Sequence, residues 1–256
     1  MRKTASLPWY DSPNTRAALD SFWRVTRHAL LDLGMEQVPE QLDRNSPPEQ
    51  LWSNSGLLLS QCCGPDLFTD EARDLWVIAR PVFSDLDCDH GLYYSHIVSA
   101  RHYTGGPARL VINSPSSRSG HGALVEWCAQ ERIEPARICV SGSHENSLAR
   151  LRMGDADLAA VDAHSWKNLT TGKVEIVGRS KPALSPPYVT HTNQAAERER
   201  IFAALTQAIF EAGHILDIEG LQKTDKLEYQ STLCPALPRE SINYLARCSL
   251  TLSPDL

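Results

Sequence analysis

Short apolar runs alternate with amphipathic stretches along this chain, which is the pattern of an α/β protein with parallel strands. The apolar runs predict strands at residues 4–7, 57–60, 75–81, 92–100, 109–112, 138–140 and 158–161, and extended chain at 174–178 and 185–189. Helical spacing and start signals predict helices from Ser12-Pro13 to about Gly34 and at 120–130, 146–153 and 195–212. Segment 37–54, rich in Pro, Glu and Ser, is expected to be a surface loop.

The composition is that of an ordinary globular protein with one or two domains. The 256 residues are 42% hydrophobic and 22% charged, which suffices to bury a core without disulfides or metals. A net charge of −6 weighs against nucleic acid as a partner, because phosphate contacts need a basic face. No stretch is long and apolar enough to span a bilayer, so we expect no membrane insertion.

The cysteines and the N-terminal residues bear on the compartment. Seven cysteines, scattered apart from the neighbours Cys62 and Cys63, are typical of reduced thiols in a cytoplasmic protein. Residues 1–11 carry no apolar stretch of signal-peptide length. As written, the chain is therefore expected to be cytoplasmic, and periplasmic if a leader has been removed. Its histidines and cysteines have no metal-like spacing, so we expect neither a metal nor a cofactor.

The most informative run is VINSPSSRSGHGAL, residues 111–124. It predicts a strand, a loop rich in hydroxyls, and a helix that begins near Gly120. The first turn of a helix has unpaired backbone N–H groups and a partial positive charge, which together favour an anion. Ser117 and Ser119 would add hydroxyl donors and Arg118 a cation. An ordinary capped helix start is the alternative, and from this run alone it is the more common one.

Two further strand ends carry polar side chains. His144 follows the strand at 138–140 and begins a helix, and Asp162 ends the strand at 158–161. Because ligands of parallel α/β sheets bind beyond the carboxyl ends of the strands, three such ends favour a binding site over isolated caps.

These segments resemble a family, namely the phosphate-, phosphite- and phosphonate-binding proteins of ABC importers. The resemblance rests on residues 114–120 (SPSSRSG), 142–145 (GSHE) and 154–162 (GDADLAAVD) with Trp166, together with ASLPWY at 5–10 and the tyrosine-bearing strand from Tyr93. It covers most of residues 4–212 and is clearest between 110 and 166.

The resemblance implies a type II periplasmic-binding-protein-like fold with two α/β lobes, each a mixed sheet flanked by helices, joined by a two-strand hinge. Lobe one would comprise residues 1–97 and 186–256, and lobe two residues 98–185. The hinge crossings would lie near 94–102 and 182–190. Closure of the lobes around a ligand would be the expected motion.

The same resemblance implies the site residues. Ser117, Arg118 and Ser119 match a hydroxyl-rich triplet that holds phosphonate oxygens, although the middle position is usually a smaller hydroxyl residue. Arg118 would either strengthen anion binding through its fork of donors or point to solvent. His144 matches a ligand-contacting histidine, and Asp162 an acidic residue that meets a ligand amine or a protonated oxygen.

Four further residues complete the predicted set. His121 follows Gly120 and would touch the ligand. Tyr10 and Gln61 lie at the ends of the first two strands, and Tyr93 or Tyr94 lies near the hinge, with Tyr93 taken as the candidate. By the resemblance all three positions face the ligand from lobe one.

The implied function is a solute-binding protein that traps a small oxyanion in an interlobe cleft, with an ABC permease as candidate partner and no catalytic residue. Two alternatives stay open. One is a cytoplasmic ligand-sensing module, since effector domains of transcription regulators share this bilobal fold. The other is an enzyme that uses Cys62 or Cys63 as nucleophile and His144 as base, although small buried cysteines are the more common interpretation.

Overall fold

The chain, described here by a computed structural model over residues 3–100 and 103–237, divides into two compact units. Unit one comprises residues 3–93 and 184–231, and unit two comprises residues 94–183 and 232–237. Predictions that fall on residues 1–2, 101–102 and 238–256 lie outside the described residues. They concern the ends of lobe one and the end of the first hinge crossing.

Twelve strands and six α-helices are formed by the described residues. The strands are β1 (Thr4–Ala5), β2 (Leu57–Gln61), β3 (Leu75–Phe83), β4 (Leu92–Tyr93), β5 (Ser95–Ser99), β6 (Ala108–Ile112), β7 (Pro135–Val140), β8 (Leu158–Asp162), β9 (Glu175–Arg179), β10 (Ala183–Leu184), β11 (Tyr188–His191) and β12 (Ile218–Gln222). The helices are α1 (Arg16–Asp32), α2 (Pro48–Trp52), α3 (Ala123–Gln130), α4 (His144–Met153), α5 (Ala163–Trp166) and α6 (Arg198–Ala212).

Unit one is built on a mixed sheet in the order β1-β2-β11-β3-β12. β1 pairs with β2 in parallel, whereas β11 runs antiparallel to β2 and β3, and β12 antiparallel to β3. The inner strand β2 is buried along its whole length, as its run of apolar residues predicts. Helices α1 and α6 pack against each other.

Unit two is built on a second mixed sheet in the order β7-β6-β8-β5-β9. β6 pairs in parallel with both β7 and β8, and β5 runs antiparallel to β8 and β9. One apolar cluster joins these strands to α3, and another joins them to α4. Both units therefore have the mixed sheets and flanking helices that were predicted.

The first helix begins later than predicted. The prediction placed its start at Ser12-Pro13, but α1 begins at Arg16. The Thr15 hydroxyl accepts a hydrogen bond from the Ser12 N–H (2.9 Å) and donates one to the Tyr10 carbonyl (2.6 Å), which closes a turn ahead of the helix. Serine and proline therefore mark a turn here, which they favour as strongly as a helix start.

The prediction of a surface loop over residues 37–54 is wrong at its end. Residues 48–52 form α2, in which Leu51 and Trp52 are buried in the core of unit one. The Trp52 indole N–H donates to the Gln61 carbonyl at 3.2 Å, so this short helix is fastened to the end of β2.

The predicted long strand at 92–100 is two strands. β4 and β5 are separated at Tyr94, and β4 pairs with β10 in a two-stranded sheet of its own. The predicted connector at 185–189 ends in β11, because the prolines at 186 and 187 precede the paired residues rather than interrupt them.

Packing of Trp127 against β9 requires a glycine at position 178. A Cβ built on Gly178 would lie 2.8 Å from the Cε2 and Nε1 atoms of the Trp127 indole. We expect Gly178→Ala to lower the free energy of unfolding by about 1–3 kcal/mol, because the ring must move out of its packed position. Urea denaturation measures this loss.

Gly220→Ala is the matched control, since Gly220 also lies in a strand but its nearest neighbour would be 3.9 Å from the new Cβ. We expect a change of at most about 1 kcal/mol there. Equal losses in the two variants would show that the indole does not restrict position 178.

Candidate functional site

The carboxyl ends of β6, β7 and β8 meet at one edge of the sheet of unit two. β6 lies between the other two and is parallel to both. The loop that follows each strand therefore emerges on the same side, where parallel α/β sheets bind ligands. The predicted Ser117 to His121 segment, His144 and Asp162 lie in or directly after these three loops.

The segment after β6, residues 113–122, which we call the β6 loop, ends in one wide helical turn. Arg118–Gly122 has π-helical hydrogen bonding, in which the Ser117 carbonyl accepts from the N–H groups of His121 (2.9 Å) and Gly122 (3.0 Å). The Ser117 hydroxyl caps the turn by accepting from the Gly120 N–H at 2.9 Å. π-Helical turns are rare in proteins, and those that occur are often found at functional sites.

Gly120 permits the close approach of two parts of the β6 loop. A Cβ at this position would lie 1.7 Å from Oδ1 of Asn113, the first residue after β6. Any larger residue would force either the Asn113 side chain or the turn to move.

His144 and Ser119 connect two of the three loops. The Ser119 hydroxyl and His144 Nε2 are 3.1 Å apart and form a hydrogen bond. His144 is the first residue of α4, whose N-cap is Ser143, and the Ser143 hydroxyl accepts from the Asn146 N–H at 3.1 Å. Two residues that the sequence places 25 positions apart are thus brought into contact at the predicted site.

The imidazole of His144 is neutral at physiological pH. Desolvation lowers its pKa to about 4, and an interaction with the Ala160 backbone only partly opposes this shift. A neutral ring has one donor and one acceptor nitrogen. It can therefore give a hydrogen bond to an anion without bringing a full positive charge into the site.

Asp162 also caps a helix. Its carboxylate is buried and accepts from the Ser165 N–H at 3.1 Å at the start of α5. Ser117, Ser143 and Asp162 thus each cap the helix that follows β6, β7 or β8. These side chains are ordinary helix caps, which was the alternative interpretation of the sequence. The helices that they cap nevertheless begin at one edge of the sheet, so three N-termini lie there together.

Arg118 does not point to solvent, which was one of the two alternatives that its sequence position suggested. The side chain is buried, and its two terminal nitrogens bind the two oxygens of Glu126 at 2.5 Å each. Such fork-to-fork pairing is the strongest geometry available to arginine. The guanidinium therefore does not point to solvent, and its charge is compensated within the protein.

His121 holds the β6 loop together. The ring is buried, and Nδ1 donates to the Pro115 carbonyl at 2.7 Å, while Nε2 has no hydrogen-bond partner among the described residues. Burial lowers the pKa of this imidazole, and the nearby Arg118 charge lowers it further. Because Nδ1 carries the proton, Nε2 is a buried acceptor.

The predicted residues of unit one lie as follows. Tyr10 ends a 3₁₀ turn (Pro8–Tyr10) after β1, with its ring edge-on to Phe83 at 5.6 Å between centroids. Gln61 is the buried last residue of β2. Since β1 and β2 are parallel, both follow strand ends at the same edge of their sheet. Tyr93 is buried on β4, outside that sheet.

Cys62 has the wrong electrostatics for a nucleophile. Burial, with smaller contributions from Asp66 and Cys63, raises the pKa of the Cys62 thiol well above its ordinary value. The Cys63 N–H donates to the Asp66 carboxylate at 3.2 Å, at the start of a short 3₁₀ turn. A protonated thiol is a poor nucleophile, so this geometry does not favour the enzyme alternative.

An aromatic cluster lies at the same edge of unit two; sequence reasoning noted Tyr94 and Trp166 singly but missed their contacts with His96. Ser95 of β5 pairs with Asp162. The residues on either side of it, Tyr94 and His96, have their ring centroids 5.5 Å apart. Trp166 contacts His96 at 5.6 Å, and the Arg179 guanidinium lies 3.5 Å from the Tyr94 ring centroid. Alternation along β5 is the only sequence signal for this cluster.

Cys234 was also missed. Its thiol donates to the Ser117 carbonyl at 3.4 Å, so the segment 232–237 packs against the β6 loop. Cys234 and Ser117 are 117 positions apart in the sequence, and no local sequence pattern predicts a contact between them.

Comparison with known proteins identifies the matching family. Residues 107–228, somewhat less than half of the chain, match the family described as "ABC transporter, phosphonate, periplasmic substrate-binding protein". No curated protein sequence matches the chain.

Solved structures resemble the chain over most of its length. PhnD1 from Prochlorococcus marinus, in complex with methylphosphonate, is 16% identical with a TM-score of 0.66, covering 90% of this chain and 94% of its own. XAC2383 from Xanthomonas citri, bound to ATP, is 11% identical with a TM-score of 0.65, covering 90% and 97%. A binding-protein component of a phosphonate ABC transporter from Pseudomonas aeruginosa is 12% identical with a TM-score of 0.62, covering 96% and 94%.

These findings confirm the family resemblance and the periplasmic-binding-protein fold that the sequence predicted. At such identities the structural likeness shows the fold alone. The matched family consists of substrate-binding proteins and not of enzymes, and the enzyme and sensor alternatives gain no support from it.

Two searches of the described residues bear on other classes of function. None of their helices is both long and apolar enough to cross a membrane. No group of three or more His, Cys, Asp or Glu side chains among them is arranged to hold a metal ion.

The low pKa of His144 makes the stability of the protein depend on pH. Between about pH 6.5 and pH 4 the unfolded state binds more protons at this residue than the folded state, so the free energy of unfolding falls as the pH is lowered through this window. We expect His144→Gln to remove part of the loss measured by urea denaturation across that range. His121 contributes a loss of the same sign, so the comparison is between wild type and variant.

A titration of the His144 ring by NMR is the direct check. A midpoint near the ordinary histidine value, or an unchanged pH dependence in the Gln variant, would contradict the assignment.

Proposed function

We propose, from the match of residues 107–228 to the phosphonate substrate-binding family of ABC transporters, that this chain is a solute-binding protein for a small oxyanion. The ligand class is a phosphonate, phosphate or a close relative. The supporting observation is the edge of unit two, where three capped helices begin and the Ser119–His144 hydrogen bond joins two of the loops.

An oxyanion at this edge would be held by neutral donors. The hydroxyl of Ser119, the imidazole of His144 and the first-turn N–H groups of the β6 loop and of α4 are dipoles rather than charges. Donors held in a fixed, partly buried position cost little reorganisation when the anion arrives, and helix N-termini favour negative charge. Such local donors can hold an anion although the net charge is −6 and the Arg118 charge is compensated by Glu126.

His144 would act as a donor that is set before binding. With a pKa near 4 the ring stays neutral and has a single N–H, which on Nε2 would donate to the Ser119 hydroxyl. The Ser119 hydroxyl can accept from His144 and donate to the ligand, which passes the hydrogen bond on to the anion. Cooperative chains of this kind strengthen each member.

Asp162 would set selectivity. A buried carboxylate at the edge repels a fully deprotonated anion but accepts a hydrogen bond from a protonated ligand oxygen or from a ligand ammonium group. This favours ligands that carry a proton, such as hydrogen phosphate or an aminophosphonate, over sulfate.

The proposal includes three ligand contacts from unit one, namely Tyr10, Gln61 and Tyr93. The placement of Tyr10 and Gln61 at one sheet edge supports these two more than Tyr93. The family also suggests an ABC permease as partner and the periplasm as compartment.

Ser119→Ala removes the hydroxyl that meets His144 and should weaken binding of methylphosphonate and phosphate roughly 10- to 100-fold, the effect of one hydrogen bond to a charged group. Isothermal titration calorimetry measures the change. Ser53→Ala is the control, because that exposed hydroxyl donates to the nearby Glu49 carbonyl in unit one. The affinity of this variant for both ligands should equal that of the wild type.

A thermal-shift screen of methylphosphonate, phosphate and sulfate tests the ligand class, since a ligand that binds the folded state raises its stability. Absence of a shift with all three, together with a shift from an uncharged metabolite, would refute the oxyanion proposal.

Asp162→Asn isolates the charge at the edge, since Asn caps a helix about as well as Asp. We expect sulfate to bind at least about threefold more tightly to the variant, because a repelling charge is removed. Phosphate should gain less or lose affinity, since it also loses the acceptor for its proton. Equal gains for sulfate and phosphate in competition titrations would show that Asp162 does not select for a protonated ligand.

A further inference from the structure

We propose that Glu126 is a positioning residue that sets the charge of the β6 loop through Arg118, and thereby limits the affinity for dianions. The proposal rests on the proposed function, that this loop binds an oxyanion. It assigns a role to a residue that lies in the first turn of α3 rather than in the loop itself.

The geometry makes Arg118 a support of the loop. Its backbone lies between Ser117 and Ser119, while its guanidinium bonds both oxygens of Glu126 at 2.5 Å. The Arg118 side chain is 7% exposed and that of Glu126 is 34% exposed. The arginine of the pair is therefore buried, whereas the carboxylate is partly exposed to solvent.

Neighbouring atoms hold the Arg118 side chain in position. A Cβ on Gly122 would lie 2.8 Å from Arg118 Nη1 and 3.3 Å from the Cys234 sulfur. The guanidinium thus lies against the backbone at the end of the wide turn, and the Cys234 thiol holds the Ser117 carbonyl from nearby. Removing the Glu126 charge would leave a cation that remains largely enclosed by these neighbours.

The electrostatic consequence has a definite sign. With both partners charged, an anion in the β6 loop meets a compensated pair. With Glu126 neutralised, less of the Arg118 charge is compensated and the anion is attracted more strongly, and a dianion gains about twice as much as a monoanion. A purely structural role of Glu126 predicts the opposite result, since a loosened loop binds every anion less well.

The test is Glu126→Gln, which preserves size and retains an amide oxygen as acceptor for Arg118. We expect phosphate at about pH 8, where it is mainly a dianion, to bind roughly three- to tenfold more tightly than to wild type. The gain should be smaller at about pH 6, where the monoanion prevails, and should shrink as sodium chloride is added.

Two control variants separate charge from packing. Glu131→Gln, at the exposed C-terminal end of the same helix, changes the net charge equally and should alter affinity much less. Glu126→Asp keeps the charge but shortens the side chain, and should give no gain. Circular dichroism and thermal melts establish that each variant is folded.

Weaker or unchanged phosphate binding by a folded Glu126→Gln, or an equal gain in Glu131→Gln, would overturn the role of Glu126 and leave the proposed function intact. If wild type binds no phosphate, methylphosphonate or sulfate in the same titration, the proposed function fails and the role of Glu126 falls with it.

Discussion

Parallel pairing of β6 with both β7 and β8 is the constraint on which the candidate site depends. Parallel neighbours send their loops to the same edge, and here each loop leads directly into a helix. Three helix N-termini therefore lie together because of strand direction alone. The side chains add detail to an electrostatic setting that the backbone has already established.

Much of the polar chemistry at this edge serves the protein itself. Ser117, Ser143 and Asp162 cap helices, Arg118 is bound by Glu126, and His121 bonds the Pro115 carbonyl. A site whose supporting groups are already satisfied keeps its remaining donors in place without a ligand. This preorganisation lowers the cost of binding, because fewer groups have to be ordered or desolvated when the ligand arrives.

The sequence predicted the architecture well, because strand and helix periodicities and the order of the three loops are local signals. It placed Ser119 and His144 at one edge, and the structure brings them into contact. It did not predict the fate of Arg118, since a partner eight residues later on α3 competes for the guanidinium. The Cys234 contact and the Tyr94–Arg179 pair were equally out of reach, because they depend on tertiary packing between distant segments.

The contact between Cys234 and Ser117 has a consequence for the order in which the protein is made. Unit two is interrupted by residues 184–231, which belong to unit one, and resumes only at residue 232. On the ribosome, the segment that supports the β6 loop therefore emerges after all the described residues of unit one. A nascent chain can pair β6 with β7 and β8 early, but the support of the loop by Cys234 has to wait, as contacts between distant segments form late and slowly.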